Sequence, residues 1–186
     1  MTDRMPLPVT LTPEQRVASE RIASGPRGAL FGPFVPLLRS PELMTRLQLV
    51  GEYLRFDSVL DDDLVELVVL VVARQWDNDF EYGFHEPLAR KAGLPPDVID
   101  DVAHGVRPEA SSRAEIGVVW DLLDELHRTR QVGDTTYGKA RELLGEARVV
   151  EVVGTAGYYT TLAMTMNVAR TPPPDGAPRL PKLRPA

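Results

Sequence analysis

The sequence predicts an all-α protein, a single-domain bundle of about eight helices spanning the 186-residue chain. Apolar residues recur at helical spacing in several segments. Many predicted helices begin at a capping residue followed by proline, or end at a glycine. The longest apolar run, 64–73, exceeds the length of most strands and follows three aspartates, which favour a helix start. No segment is therefore predicted as a strand.

Over residues 1–56 the sequence predicts an extended arm followed by two helices. Residues 1–28 form an N-terminal arm and a helix over 13–24, where Thr12, Pro13 and Gln15 make a capping box. Ser40 before Pro41 predicts a second start, for a helix over 41–56.

The segment between these helices, 28–38, mixes apolar residues with Gly and Pro, so it is not predicted as a long regular element. One interpretation is a buried loop with a single helical turn that packs over the core. The other is a lid that lines a substrate pocket with Phe31 and Phe34. Both interpretations are open at this point.

The central pair of helices carries the ionisable residues of greatest interest. The helix over 62–75 is apolar nearly all round, so we expect it at the centre of the fold with Glu66 buried. A buried carboxylate costs several kcal/mol unless it is paired, so Glu66 needs a partner. In the next helix, 79–91, Glu81 and His85 are four residues apart and share a face. We expect that face to meet Glu66.

The second half of the chain predicts four more helices and a tail. A short helix over 95–102 and a loop over 106–112 precede the apolar helix 113–130. A further helix ends at Gly145, and the last runs over 146–169. The Pro-rich tail, 171–186, is predicted to be extended.

Composition limits the classes of function. The formal net charge of −6 predicts no nucleic-acid partner. The chain contains no cysteine, which excludes thiol-based peroxidase chemistry, disulfides and thiolate metal sites within it. No uncharged apolar run reaches the ~18 residues of a membrane span, and no apolar signal core is present. We expect a cytoplasmic protein that has no membrane partner.

The central pattern resembles the carboxymuconolactone decarboxylase and alkylhydroperoxidase D-like family over about residues 30–170. In its peroxidase branch a Glu precedes a C-x-x-C-x-x-x-H motif by twelve residues; Glu66 and His85 stand at the Glu and His, with Asn78 and Glu81 at the two Cys positions. In its decarboxylase branch the segment resembles E-[FY]-x-x-H, which residues 81–85 match.

The resemblance implies an alkylhydroperoxidase D-like helical fold, usually assembled as trimers or hexamers. The apolar helices 64–73 and 149–166 are candidates for the interface. It also implies a decarboxylase, or lyase, acting on 4-carboxymuconolactone in aromatic degradation without a cofactor. His85 would be the general acid/base, Glu66 would orient it, and Glu81 would face the pocket.

Each candidate residue has a structural alternative. His85 could be a hydrogen-bonding structural histidine, Glu66 could be satisfied by backbone or by Arg74, and Glu81 could be a solvated helix carboxylate. Trp76, Tyr82 and Tyr158 are predicted as core or pocket wall. A metal site of Glu66, Glu81 and His85 lacks a second histidine, so none is predicted. Arg39, Arg74 and Arg90 are the possible contacts for substrate carboxylates.

Two further functions stay open. One is a peroxidase-family-like protein without thiol activity. The other is a non-catalytic oligomeric small-molecule binder that uses the same pocket. Loss of His85 discriminates between an enzyme and a binder, because catalysis should fail while binding changes only in affinity.

Overall fold

Helices account for all regular secondary structure in residues 2–109 and 113–183, the part of the chain that the computed structural model describes. The all-α prediction is confirmed there, and the predicted boundaries are close to the observed ones. The helices are α1 (Pro13–Ser24), α2 (Phe34–Leu37), α3 (Pro41–Phe56), α4 (Asp62–Gln75), α5 (Asp79–Ala92), α6 (Pro96–Ala103), α7 (Ala114–Thr129) and α8 (Asp134–Ala169).

Capping residues in the sequence explain the start of α1 but not the start of α4. The Thr12 hydroxyl accepts a hydrogen bond from the Gln15 amide at 3.3 Å, and the Gln15 side chain accepts one from the Thr12 amide at 3.0 Å, as the capping box predicts. Asp61, at the start of α4, makes no such cap. Its carboxylate instead accepts a hydrogen bond from Arg113 at 2.8 Å, which ties α4 to the start of α7.

The segment 28–38 contains a single turn of helix, α2, packed into the core. Gly28 and Gly32 have φ values of 71° and 55°, a region that glycine adopts without steric cost. At Gly32 this geometry also matters for packing, because an added Cβ would lie 2.6 Å from the Phe80 ring. The predicted buried loop with one helical turn is thus observed.

The last two predicted helices are joined as α8 in the structure. Gly145, predicted as the end of one helix, has φ 76° and ψ 160°, so the helical backbone is interrupted there and resumes at once. The predicted glycine stop is correct as a break in helical geometry. No loop separates the two segments, so α8 is best described as two helices that meet at a kink.

Helix α4 lies at the centre of the fold, as its sequence predicts. Every residue from Asp63 to Ala73 is buried. One side of α4 joins an apolar cluster with α6, α7 and the first part of α8, and Val69 and Val72 join a second cluster with α1, α2 and the end of α8. Because α4 is covered within one chain, it offers no face for an interface, and that expectation for 64–73 is wrong.

The Pro-rich tail packs on the side of α5 that points away from His85. Asp79 accepts a hydrogen bond from the Leu180 amide at 3.1 Å, and Arg74 donates one to the Pro181 carbonyl at 2.9 Å. Gly83 makes the contact possible, because a Cβ there would lie 2.8 Å from the Pro178 carbonyl oxygen. Residues 184–186 of the predicted tail, and 110–112 of the predicted loop, lie outside the described residues.

Across the described ranges, none of the helices combines the length and the apolar character that crossing a membrane requires.

We expect Gly83→Ala to lower the free energy of unfolding by roughly 1–2 kcal/mol, because the new methyl group must displace the tail backbone, and this exceeds the gain in helix propensity. Urea unfolding followed by circular dichroism measures the change, and limited proteolysis detects release of the tail. Gly138→Ala is the matched control: its Cβ would meet nothing within 4 Å, so it should be neutral or stabilising. Equal stability of both variants, with the tail still protected, would contradict the expected contact.

Candidate functional site

Glu66, His85 and Glu81 form a buried chain of ionisable side chains between α4 and α5. His85 Nδ1 lies 2.7 Å from a carboxylate oxygen of Glu66, and His85 Nε2 lies 3.5 Å from one of Glu81. The three residues are 8%, 3% and 2% exposed, respectively. The sequence predicted both contacts: the first because Glu66 needs a partner, the second from the four-residue spacing of Glu81 and His85.

The start of α5 is fixed by the side chain of Asn78. Its side-chain oxygen accepts a hydrogen bond from the Glu81 amide at 2.8 Å, and so caps the helix. Its amide nitrogen donates to the Asn167 side chain at 2.8 Å and to the Ala163 carbonyl at 3.3 Å, which attaches this end of α5 to α8. Asn78 therefore positions Glu81 and His85 rather than facing the cavity.

Glu81 carries the electrostatic signature of the site. Burial raises the pKa of its carboxyl group to about 7, and the positive charges of His85 and Arg55 offset only part of that effect. Its Oε1 atom is buried and accepts no hydrogen bond from the described residues. Near neutral pH such a group exists both as the acid, which can donate a proton, and as the carboxylate, which can accept one.

A small cavity of about 20 Å³, the inner cavity, lies against Glu81 and His85. Tyr159 meets the His85 ring edge-on, with ring centroids 5.1 Å apart, and burial raises the pKa of its hydroxyl far above the usual range. Apart from four ionisable side chains, the wall is formed by aromatic and apolar residues: Phe31, Pro33, Phe34, Phe80, Phe84, Tyr159 and Leu162. The ionisable members are Arg27, Arg55, Glu81 and His85.

A second space, the outer depression, is bordered by residues of α3, α4 and α5 and has a volume of about 300 Å³. Glu66 lines this depression, whereas Glu81 lines the inner cavity. His85 contacts both carboxylates but lines only the inner cavity, while Arg55 borders both spaces.

The structure places only some of the predicted pocket residues around the inner cavity. Phe31 and Phe34 line it, as expected for pocket residues of 28–38, and the lid itself stays a prediction. Tyr82 does not, because it faces the opposite cluster with α6 and α7. Trp76 is also elsewhere, with its indole donating to Thr160 at 3.2 Å. Tyr158 lies one layer behind the wall, where its hydroxyl accepts a hydrogen bond from Arg27 at 3.4 Å.

Three functional candidates escaped the sequence analysis: Tyr159, Arg27 and Arg55. The arginines proposed for substrate carboxylates are occupied elsewhere. Arg39 donates to backbone carbonyls, Arg74 to the tail and Asp77, and Arg90 to Glu86. The helical spacing of α3 could have flagged Arg55, which lies one residue from buried Leu54. Arg27 stands in a loop, where periodicity gives no signal.

No set of three or more His, Cys, Asp or Glu side chains within residues 2–109 and 113–183 is arranged to hold a metal ion.

The segment that holds this site has a family match. Residues 41–119, from the start of α3 into α7, match the model of the carboxymuconolactone decarboxylase family. The match covers 79 of the 186 residues, less than half of the chain. Within it lie Glu66, Glu81 and His85, whereas Arg27, Phe31, Phe34 and Tyr159 come from outside the matched range.

Solved structures with the same fold extend the likeness beyond this family segment. A peroxidase-related protein with an alkylhydroperoxidase AhpD core from Ralstonia eutropha JMP134 superposes with a TM-score of 0.75 at 15% identity, over 93% of each chain. A protein of unknown function from Agrobacterium tumefaciens, named as a candidate antioxidant defence protein AhpD, gives 0.63 at 14% identity, over 74% of this chain and 94% of its own. Such identities show a shared fold alone. No curated protein matches the sequence.

We expect Glu81→Gln to make the protein less sensitive to pH between 5 and 8. The pKa of Glu81 is about 7 in the folded chain and 4.5 ordinarily, so the folded state keeps a proton that the unfolded state loses within this window. Stability should therefore fall as the pH rises from 4.5 through 7, by on the order of 3 kcal/mol for wild type relative to Glu81→Gln. Chemical unfolding at several pH values measures this difference.

Glu142→Gln, a change at an exposed carboxylate of α8, is the control and should leave the pH profile of unfolding unchanged. If wild type and Glu81→Gln show parallel profiles, Glu81 does not carry a raised pKa.

Proposed function

We propose that the chain is a cofactor-free decarboxylase that acts on a small carboxylated lactone of the 4-carboxymuconolactone type. The observation that carries this proposal is the Glu66–His85–Glu81 chain, which ends at a cavity with mostly aromatic and apolar walls. Loss of CO₂ needs a proton donor at the reacting carbon and surroundings that favour loss of a charged carboxylate. The match of the site segment to the family model supports the same reaction class.

The proposed reaction has one bond-breaking step and one proton transfer. The bond between carbon and the departing carboxylate breaks, CO₂ leaves, and the electron pair is delocalised into the conjugated lactone as an enolate. Protonated His85 then gives its Nε2 proton to the carbon, and neutral His85 regains a proton from solvent. Glu66, hydrogen-bonded to Nδ1, holds the ring orientation and stabilises the charged imidazole.

Glu81 supports this chemistry because a pKa of about 7 leaves about half of its carboxyl groups protonated at neutral pH. A carboxyl group with a pKa of about 7 can donate a hydrogen bond to a substrate oxygen, whereas an ionised carboxylate would repel a substrate anion. It also lies next to His85 Nε2, at 3.5 Å, and can exchange a proton with it.

The inner cavity must enlarge before such a substrate can enter. Its volume of about 20 Å³ is of the order needed for one water molecule. The wall segment with Phe31 lies between two glycines of positive φ, Gly28 and Gly32. The Phe31 ring packs against Phe84 with ring centroids 5.1 Å apart and planes tilted by 36°. This segment is the natural lid, because it has little regular structure to break on opening.

A non-catalytic binder is the second candidate. The same cavity would suit it, and the cationic side chains on the wall are an observation that favours ligand binding of either kind. A thiol peroxidase is not a candidate, since the chain has no cysteine.

We expect His85→Ala to lose at least about a hundredfold in the turnover rate of 4-carboxymuconolactone, because general acid catalysis contributes factors of this size. Ultraviolet absorbance of the lactone follows turnover, and circular dichroism checks the fold. The control is His104→Ala, at the end of α6, which should keep full activity because its ring bonds only to its own helix. Wild type without turnover, or an active His85→Ala variant, would refute the proposed enzyme, and ligand binding in the absence of turnover would favour the binder.

We further propose that the chain forms a homo-oligomer, a trimer or hexamer, through α8. From Val150 onward, α8 presents an exposed face free of charged side chains, which includes Val150, Val153, Gly154, Gly157, Thr161, Met164 and Val168. Six of these residues fall into two rows with a spacing of seven: 150, 157, 164 and 154, 161, 168. That spacing suits helix packing, and a second copy of the chain brings no like charge to the face.

We expect Met164→Lys to shift the protein toward monomers, because it places a charge in the middle of the proposed interface. Sedimentation velocity measures the assembly state. Val106→Lys makes the same kind of change at an exposed residue after α6 and should leave the assembly intact. An unchanged oligomer in Met164→Lys, or a monomeric wild type, would rule out this face.

Two broader features complete the proposal. Both apolar clusters include residues of α4 and α8, which supports one domain over residues 1–186. A cytoplasmic location stays a prediction.

A further inference from the structure

We propose that Arg27 and Arg55 form a carboxylate-binding subsite of the inner cavity, and that they hold the substrate carboxylate that is not lost in the reaction. This inference rests on the proposed function and adds to it the two residues that select the substrate. It follows from the contacts of the two guanidinium groups, from their position beside Glu81 and from the chemistry of decarboxylation.

Arg27 reaches the cavity with most of its hydrogen-bonding capacity unused. Its side chain donates one long hydrogen bond, 3.4 Å, to the Tyr158 hydroxyl, and its guanidinium carbon lies 4.9 Å from the centre of the Phe34 ring. Its Nε atom is buried and has no hydrogen-bond partner within the described residues. A buried donor without a partner destabilises the empty protein, so the position is better explained by a bound acceptor.

Arg55 reaches the same cavity from α3. Its guanidinium carbon lies 5.6 Å from the centre of the Phe84 ring and 5.7 Å from that of Phe56. It makes no hydrogen bond or ion pair with any residue in the ranges 2–109 and 113–183. Contact with ring faces holds a guanidinium in place while its N–H groups, at the edge of the plane, remain available for a ligand.

Two permanent positive charges therefore border one small cavity without a hydrogen-bonded carboxylate. Both lower the pKa of Glu81 by their charge, yet neither donates a hydrogen bond to it. The planar guanidinium matches a carboxylate in shape and in donor spacing, which makes a carboxylate the anion of choice. Glu81, in its protonated form, adds a hydrogen-bond donor for an oxygen of the same ligand.

The chemistry decides which carboxylate the pair holds. An ion pair with the departing carboxylate would stabilise the substrate more than the transition state, in which that charge moves away, so it would slow the reaction. The pair is useful for a carboxylate that remains on the product and orients the ring against His85. The substrate therefore carries at least two carboxylates, and a substrate with only the departing one should bind weakly.

Binding of a non-reactive probe tests the subsite without relying on turnover. Muconolactone keeps one carboxylate but has no carboxyl group on the ring to lose, and its methyl ester removes the charge. Isothermal titration calorimetry should show that wild type binds the acid at least about tenfold more tightly than the ester. Arg27→Gln and Arg55→Gln should each weaken binding of the acid by about tenfold or more and leave binding of the ester unchanged.

Arg46→Gln is the matched control on α3, because Arg46 is exposed and paired with Glu42 at 2.6 Å. It should bind the acid like wild type. Arg55→Lys should recover part of the affinity, since it restores the charge without the planar fork. Equal binding of acid and ester by wild type, no binding of the acid, or wild-type affinity in both glutamine variants would overturn the subsite.

Failure of the subsite and failure of the proposed reaction give different results. If the acid binds as expected but 4-carboxymuconolactone is not turned over, the subsite stands and the decarboxylase proposal fails. If wild type turns over 4-carboxymuconolactone and the arginine variants keep its KM and kcat, the reaction stands and the subsite is wrong.

Discussion

The hydrogen bond between Glu66 and His85 is the interaction on which the rest of the site depends. Glu66 lies in α4, the most deeply buried helix, where an unpaired carboxylate would cost several kcal/mol. The 2.7 Å contact with His85 satisfies it, and this requires α5 to run back along α4 in one register. That register then carries Glu81, one turn before His85, to the wall of the inner cavity.

Much of this could be predicted from the sequence because the signals are local. A glutamate within an apolar run demands a partner, and the spacing of Glu81 and His85 places both on one face. The aromatic wall was harder to predict. Tyr82 is adjacent to Glu81 but points into the other cluster, because successive residues of a helix differ in direction by about 100°. For the same reason Tyr159 lines the inner cavity, whereas its neighbour Tyr158, the predicted pocket residue, does not.

Arg27 and Arg55 show the limit of sequence reasoning in another way. A loop arginine carries no periodic signal, and a guanidinium on a partly buried helix face usually finds a carboxylate nearby. Only the three-dimensional packing reveals that both reach the same cavity and find aromatic rings rather than acids. The tail is similar: Gly83 gave no sign in the sequence that it leaves room for the backbone at Pro178.

The unsatisfied polar atoms around the inner cavity are consistent with one another. Within the described residues, Arg27 Nε and Glu81 Oε1 are both buried without partners, and burial raises the pKa of Glu81 to about 7. A core selected for stability alone would replace such groups with apolar residues or pair them directly. Here the two groups are complementary, because Arg27 is a cation and Glu81, when protonated, is a proton donor. A small anion that also carries an oxygen able to accept a hydrogen bond would satisfy both groups. Binding would then recover the free energy that the unpaired groups cost the empty cavity.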